Sequence, residues 1–155
     1  APRFTTRSGV FIRGEGGFGA TAPRSDAPAA PPVPDRAPDA TVTEATLPQQ
    51  ALVYRLSGDR NPLHADPAFA AAAGFDRPIL HGLCTYGFAG RALLASRCDG
   101  DPARFCSMAG RFTHPVMPGQ TLTTELWDLS DTEVRFRTVT EDGTVVLDRG
   151  RFVHA

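Results

Sequence analysis

The spacing of hydrophobic and polar positions divides the chain into a strand-rich beginning, a helical middle and a strand-rich end. Residues 4–13 have the β-branched and aromatic composition of a strand, and residues 40–47 alternate with the period of two that strands show. After residue 101, turn signals separate segments that alternate in the same way. Further strands are therefore predicted at about 104–115, 120–129, 132–140 and 144–153.

The middle of the chain has helical spacing in three places. In the first, 48–58, Pro48 suits the opening turn and Gly58 suits the stop. The second, 66–74, is an alanine-rich run that Asp66 can cap at its N-terminus. Short helices are predicted at both places.

The third segment, 81–97, is the longest candidate helix and is apolar on most of its sides. A helix of this kind is expected in the core of a protein. Gly87 and Gly90 lower its helix propensity, but in a buried helix they allow a sheet to approach closely. The order of elements predicts an α+β fold in which one antiparallel sheet packs on this central helix.

A stretch rich in glycine, proline and alanine, residues 14–39, separates the first two predicted strands. Its composition is typical of a long loop or arm rather than of a domain. The chain has 155 residues, 41% of them hydrophobic, which is enough for a single core. We therefore expect one domain over 1–155, with an arm at about 14–39.

The composition of the chain argues against some classes of function. A net charge of -1 argues against nucleic-acid binding, which needs a basic face. All 16 basic residues other than histidine are arginine. The three cysteines form no C-x-x-C pair, so a reducing cytoplasm is expected rather than a disulfide framework. The sequence has no apolar run of the length that spans a membrane and no signal-peptide pattern, which predicts a soluble protein.

The stretch "SGDRNPLH", residues 57–64, contains two groups that can move protons, Asp59 and His64. Pro62 fixes one backbone angle between them and biases Asn61 toward an extended conformation, so the turn can bring both side chains to one point. A carboxylate and an imidazole that flank one water can polarise it and supply a proton. Asn61 could orient either partner.

His81 and Gly82 open the apolar helix. The N-terminus of a helix has unpaired backbone N–H groups and a partial positive charge, and a glycine there lets a ligand approach closely. A carbonyl oxygen that gains negative charge would be stabilised at this point. Together with the Asp59 and His64 pair, this predicts addition of water to an α,β-unsaturated carbonyl, or the reverse elimination.

Simpler interpretations of the same residues remain open at this point. Clusters of Asp, Asn, Gly and Pro usually form turns and caps, and a single histidine is often structural. A metal site is an alternative, although no H-x-H or H-E-x-x-H spacing supports one. Its candidate ligands are Asp59, His64, Asp66 and His81.

Three other reactive side chains receive no catalytic role. Cys84 lies within the apolar helix and is expected to be a small core residue. His114 precedes a proline at or near the end of a strand and is assigned no function. His154 is next to the last residue and is expected to be solvated.

The segment "YRLSGDRNPLHADPAFAAAAGFDRPILHGLCTYGFAGRALL", residues 54–94, resembles the motif of the MaoC-like, (R)-specific enoyl-CoA hydratases of the hydratase-2 class. The similarity rests on the aromatic residue, the run Ser-Gly-Asp-x-Asn-Pro-Leu-His and the following His-Gly. It extends weakly over "FTHPVMPGQTL", residues 112–122, and over residues 8–19. The resemblance implies a hotdog fold, in which an antiparallel sheet wraps around one long helix, here about 82–97.

The resemblance also implies the chemistry. Asp59 and His64 would hold water and move the proton, the N–H of Gly82 would bind the thioester oxygen, and Asn61 and Ser57 would support the pair. The substrate would be a trans-2-enoyl-CoA and the product a (3R)-3-hydroxyacyl-CoA, with no metal or other cofactor.

Members of this family that are about twice as long contain two hotdog halves, and this chain resembles the second, motif-bearing half. We therefore expect it to pair with a copy of itself or with another hotdog domain, or to be a piece of a longer polypeptide. The CoA phosphates need basic partners, and the sequence does not select among the candidates. These are Arg60, Arg77, Arg91, Arg97 and Arg111.

Other functions compatible with a hotdog stay open. One is a dehydratase that acts on carrier-bound, polyketide or steroid-side-chain substrates. Another is a non-catalytic subunit that binds acyl-CoA and completes a partner's tunnel, although the intact pair of Asp59 and His64 argues against it. Hotdog thioesterases share the fold but not this motif.

Overall fold

The computed structural model describes residues 3–10 and 31–155, and the account below concerns these residues. Five strands form one antiparallel sheet, in the order β1-β3-β4-β5-β2. In chain order the strands are β1 (Ala40–Ala45), β2 (Phe105–Phe112), β3 (Thr121–Asp128), β4 (Glu133–Thr140) and β5 (Val145–His154). The helices are α1 (Gln50–Tyr54), α2 (Pro67–Ala72) and α3 (Gly82–Arg97).

The sheet has one face toward α3, because alternate residues of its central strands are apolar. In β3, Leu122 and Leu126 are buried, and in β4, Val134 and Phe136 are completely buried. The strands pair in antiparallel register, for example Leu126 with Phe136. This register places the apolar side chains of both strands on one face of the sheet, because successive side chains of a strand point to opposite faces.

Helix α3 lies on that apolar face. Its buried residues Ala89 and Leu93 pack into a cluster with side chains of the central strands. A second cluster lies near the start of the helix and includes Leu80, Cys84 and Val116. The sheet and central helix form the predicted hotdog arrangement, and burial of Cys84 confirms that it is a core residue.

The prediction that α3 lies in the core is confirmed for one side of the helix only. Leu83 is 62% exposed, and Gly87, Arg91 and Ala95 continue the same stripe along the helix. A single sheet covers only one side of a helix, so the opposite side of α3 faces outward within this chain. Gly90 allows β2 to approach the helix closely, as predicted, because a Cβ there would lie 3.4 Å from the sulfur of Met108.

The two ends of the described chain also differ from the sequence expectations. Residues 4–10 form no strand, and the remainder of the predicted strand, 11–13, lies outside the described residues. Strand composition alone does not make a strand without a neighbour to pair with. His154 is 7% exposed rather than solvated, because it ends β5 and its ring stacks on Phe152 at 5.5 Å.

The arm predicted at 14–39 falls largely outside the described residues. Its described part, from residue 31 onward, has no helix or strand before β1 begins. It crosses to β3, where the indole N–H of Trp127 donates to the Arg36 carbonyl at 2.9 Å. Within residues 3–10 and 31–155, no helix is long and apolar enough to cross a membrane.

Candidate active site

The loop from Gly58 to His64 is shaped by its own turn chemistry. Gly58 has a φ of 118°, which a residue with a side chain rarely adopts, and it ends the 3₁₀ turn that follows α1. Asn61 is extended, as its position before Pro62 predicts, and its side chain caps the next 3₁₀ turn by accepting from the Leu63 N–H at 3.0 Å. The backbone N–H of Asn61 donates to the Asp59 carboxylate at 3.1 Å.

His64 has a defined tautomer in this arrangement. Its Nδ1 lies 2.8 Å from the carbonyl oxygen of Ile79, and since a carbonyl can only accept, Nδ1 carries the proton. The other nitrogen, Nε2, is therefore unprotonated in the neutral ring. A half-buried imidazole with a free Nε2 can accept a proton from water.

His81 lies directly against the two candidate residues. Its ring stacks on that of His64, with the centroids 3.7 Å apart, and its Nε2 donates to the backbone carbonyl of Asp59 at 3.1 Å. It is 1% exposed. Burial lowers the pKa of His81, and the hydrogen bond to Asp59 only partly opposes this. His81 thus supports the ring of His64 and the main chain of Asp59.

Asp59, His64 and His81 each offer one atom that could bind a metal, and these three atoms lie within 4.8 Å of one another. The structure therefore brings Asp59 and His64 together as the sequence predicts. As a metal site the trio is poor, since stacked rings do not direct their lone pairs toward one tetrahedral centre. Asp66, the fourth candidate ligand, instead caps α2, accepting from the Ala68 N–H at 2.8 Å. Its predicted role as a helix cap is confirmed.

Gly82 is the first residue of α3, and His81 is its N-cap. His64 and Gly82 line one cleft of about 260 Å³, which we call the main cleft. Its other lining residues are Ile79, Leu80, Thr85, Phe112, Thr113, His114, Pro115, Val116 and Val146. A helix N-terminus and an imidazole with a free nitrogen thus open into the same space.

A second cleft of about 190 Å³ also reaches His64. Leu52 and Arg77 are among the residues that line it. Of the other candidate arginines, Arg91 pairs with Glu44 at 2.6 Å and Arg97 pairs with Asp128 at 2.7 Å. Arg77 is therefore the candidate arginine that lines a cleft next to His64.

The two residues expected to support the pair hold different positions. Asn61 donates its backbone N–H to the Asp59 carboxylate and caps the 3₁₀ turn that contains His64. Ser57 ends the 3₁₀ turn before Gly58, and its hydroxyl forms no hydrogen bond to Asp59 or His64 in the described part of the chain. From the sequence, the His81 ring was only a candidate metal ligand, although its place immediately before Gly82 was a usable signal for a position in the site.

Tyr54 and Phe112 are further parts of the site that the sequence analysis did not identify. The ring of Tyr54 lies 4.8 Å from that of His81, and burial raises its pKa. Phe112 ends β2 and forms a wall of the main cleft against Gly82. Nothing in local spacing connects residue 112 with residue 82; only the packing of β2 beside α3 does.

Comparison with known proteins adds independent information. The model of the MaoC like domain matches residues 29–150. The 3-hydroxyacyl-thioester dehydratase Y of Mycobacterium tuberculosis is 54% identical over 151 residues, which cover 94% of this chain. The same residues cover 51% of that protein, so the chain spans about half the length of this relative.

Solved structures agree with the fold. A MaoC-like dehydratase from Phytophthora capsici superposes with a TM-score of 0.81 at 47% identity, over 83% of this chain and 45% of that one. An (R)-hydratase from A. caviae involved in PHA biosynthesis superposes with a TM-score of 0.62 at 30% identity, over 74% of this chain and 91% of that one.

Proposed function

The chain belongs to the MaoC-like domain family, and from that premise we propose that it is an enzyme that hydrates trans-2-enoyl-CoA to (3R)-3-hydroxyacyl-CoA, or catalyses the reverse dehydration. The relative from M. tuberculosis is named for dehydration of a 3-hydroxyacyl thioester, and the solved A. caviae protein is named an (R)-hydratase. Dehydration of a 3-hydroxyacyl thioester and hydration of an enoyl thioester are the two directions of one reversible reaction.

One observation carries the proposal. The Asp59 carboxylate and the His64 imidazole approach each other beside a cleft whose lining also includes the first residue of α3, Gly82. Conjugate addition of water needs these three functions, namely a group to hold water, a base to take its proton and a donor for the oxyanion.

The proton transfers balance with these groups alone. Asp59 accepts a hydrogen bond from the attacking water and holds it over C3 of the enoyl group. His64 Nε2 takes the other proton as the oxygen bonds to C3, and the electron pair of the double bond moves toward the thioester. The imidazolium then returns that proton to C2, so both side chains end in their starting states.

The charge that develops on the thioester oxygen is stabilised by the backbone N–H of Gly82. The first N–H groups of a helix have no partner within the helix, and the macrodipole adds a partial positive charge at the same point. A backbone donor fixed at a helix start costs no reorganisation when the oxyanion forms.

Asn61 and Ser57 have supporting roles in this proposal. The Asn61 N–H holds the Asp59 carboxylate, and its side chain fixes the 3₁₀ turn that carries His64. Ser57 helps to set the turn that precedes Asp59. Hydration changes no oxidation state and the proton is supplied by water, so no metal or redox cofactor is required, and CoA enters as part of the substrate.

We further propose that arginines with no carboxylate partner among the described residues bind the CoA phosphates. The structure pairs Arg91 and Arg97 with acidic residues, which leaves Arg60, Arg77 and Arg111 as candidates. Of these, Arg77 is the one that lines a cleft reaching His64. Guanidinium groups are well suited to phosphate because they donate two hydrogen bonds at once.

In this proposal the chain pairs with a second hotdog domain. The partner is either another copy of this chain or a different hotdog domain. The exposed stripe of α3 begins at Leu83, and the neighbouring edge strand β2 ends at Phe112, which is 47% exposed. An unpaired edge beside exposed apolar side chains is a surface that proteins normally cover.

The same proposal includes a cytoplasmic location. The three cysteines, Cys84, Cys98 and Cys106, are all unpaired, which is typical of a reducing compartment.

The test is to follow loss of enoyl-thioester absorbance when the purified chain is added to crotonyl-CoA, with chiral analysis of the product. We expect turnover and a (3R) product. A (3S) product would contradict the stereochemical assignment. No turnover, alone or with a partner hotdog, would overturn the proposal and favour a non-catalytic acyl-CoA-binding subunit.

A further inference from the structure

A second imidazole, that of His114, lines the main cleft together with His64 and Gly82. Its Nδ1 lies 2.8 Å from the carbonyl oxygen of Val145, so Nδ1 carries the proton and donates. The same carbonyl accepts from the Thr113 hydroxyl at 2.6 Å. The ring is therefore held in place through one nitrogen, and Nε2 is the nitrogen left for a ligand.

The main cleft has a buried apolar floor and an exposed rim that includes the imidazole of His114. Its floor is apolar and buried, since Leu80, Val116 and Val146 are each no more than 2% exposed. Its rim is formed by exposed residues that include Phe112 and His114. A ligand with an apolar end and a polar end would lie with the apolar end on the floor and the polar end at the rim.

An enoyl thioester has these two ends. With its carbonyl at the N–H of Gly82 and its acyl chain on the floor, the thiol arm passes over the rim, where His114 lies. In CoA and in carrier-bound thioesters, that arm carries an amide two carbons beyond the sulfur. Counted from the reacting centre along the arm, this amide N–H is the first hydrogen-bond donor.

We propose that His114 is a substrate-binding residue whose Nε2 accepts a hydrogen bond from this first amide N–H of the thiol arm. The inference rests on the proposed hydration activity and extends it, because it names the part of the substrate that the rim of the cleft recognises. His114 moves no proton in this scheme; it positions the thioester relative to His64 and Gly82.

The test compares three crotonyl thioesters that differ only in the thiol. Crotonyl-CoA and crotonyl-N-acetylcysteamine contain the amide, and S-propyl thiocrotonate lacks it. We expect His114→Ala to lower kcat/KM about fivefold for the two amide-containing thioesters, the value of one hydrogen bond, mainly through KM. Hydration of the S-propyl thioester should not change. His114→Gln retains an acceptor oxygen and should recover part of the loss.

Thr113→Val is the matched control, because it removes the other hydrogen bond to the Val145 carbonyl and keeps the imidazole. It should change kcat/KM by a common factor for all three thioesters. Wild-type turnover with no effect of His114→Ala, or with an equal loss for all three, would overturn the role of His114 alone. Absence of wild-type turnover on all three would instead overturn the hydration activity and this role with it.

Discussion

The imidazole rings of His64 and His81 stack with their centroids 3.7 Å apart. Each ring also bonds to the backbone, His64 to the Ile79 carbonyl and His81 to the Asp59 carbonyl. His81 therefore links the two candidate catalytic residues, since it contacts the ring of one and holds the main chain of the other. Burial lowers the pKa of His81, which favours the neutral ring.

From this position we expect His81 to make the stability of the fold dependent on pH. Burial lowers the pKa of His81 in the folded chain, so the unfolded chain binds more protons between the folded pKa and about 6.5, the usual value. The contribution is fully present above that value and is lost as pH falls through the folded pKa. We expect His81→Phe to unfold with less pH dependence than wild type in urea titrations between pH 7 and pH 5.

His81→Phe retains a ring to stack on His64 but loses the hydrogen bond to Asp59. The same pH dependence in both proteins would show that another group titrates in this range. His154→Phe is the matched control, because it removes a different buried histidine, far along the chain.

Asp59→Asn and His64→Ala are each expected to lower crotonyl-CoA hydration by about 10²- to 10⁴-fold, because each removes a group that holds water or moves its proton. The far-ultraviolet circular dichroism and the melting temperature should remain close to wild type, since both residues are at least partly exposed. Asp66→Asn, which changes a carboxylate that caps α2, is the control and should retain activity. Near-wild-type rates for both variants would refute the assigned mechanism.

Gly82→Pro removes the backbone N–H that we propose as the oxyanion donor, while the start of the helix is kept. Proline lacks the backbone N–H but is favoured at the first position of a helix, and the extended His81 backbone before it suits a proline. We expect kcat to fall about 10²- to 10³-fold while the fold is retained.

Gly82→Ala is the control, because it keeps the N–H and adds a Cβ only 3.4 Å from the Phe112 ring. It should lose far less activity than Gly82→Pro. Equal losses in the two variants would mean that space at this position matters and the N–H does not.

Gly150→Ala should destabilise the fold more than any other glycine substitution in the described strands. An added Cβ would lie 2.3 Å from the Phe136 carbonyl oxygen on the neighbouring strand. We expect a loss of about 2 kcal/mol or more in the free energy of unfolding, measured in urea. Gly110→Ala is the comparison, since a Cβ there would lie 3.1 Å from the end of the Leu147 side chain, which can shift, and a smaller loss is expected. Equal stability of the two variants would contradict this packing.

Leu83→Glu tests the exposed stripe of α3 as a surface for a second copy. We expect the wild-type chain to sediment as a dimer at micromolar concentration and Leu83→Glu as a monomer, because the charge would be buried without a partner. Leu129→Glu is the control, a comparably exposed leucine after β3. A monomeric wild type would exclude self-pairing and favour a hotdog from another chain, and an unaffected dimer would place the interface elsewhere.

Most of the fold was predictable from local patterns. The predicted strands from residue 104 onward agree with β2 to β5 to within a few residues, and the predicted long helix agrees with α3. These elements have strong periodicity and clear turn signals between them. The predicted strand at 4–13 failed over its described part, because composition gives a preference and only a neighbouring strand supplies the pairing.

The local turn of the candidate site was predictable from the sequence, but the packing of distant segments around it was not. The run from Ser57 to His64 contains the turn chemistry that exposes Asp59, and Gly82 stands at a helix start. The stacking of His81, the wall formed by Phe112 and the second imidazole at His114 come from segments distant in sequence.

The sequence by itself determined the order of elements, the turn that presents Asp59 and His64, and the cap at Asp66, because these depend on periodicity and on neighbours within a few residues. Only the tertiary structure decided which side of α3 is buried, that His81 and His154 lie inside, and which residues of β2 and the following loop face Gly82. Contacts between distant segments depend on how the sheet packs on the helix, and no local spacing encodes that packing.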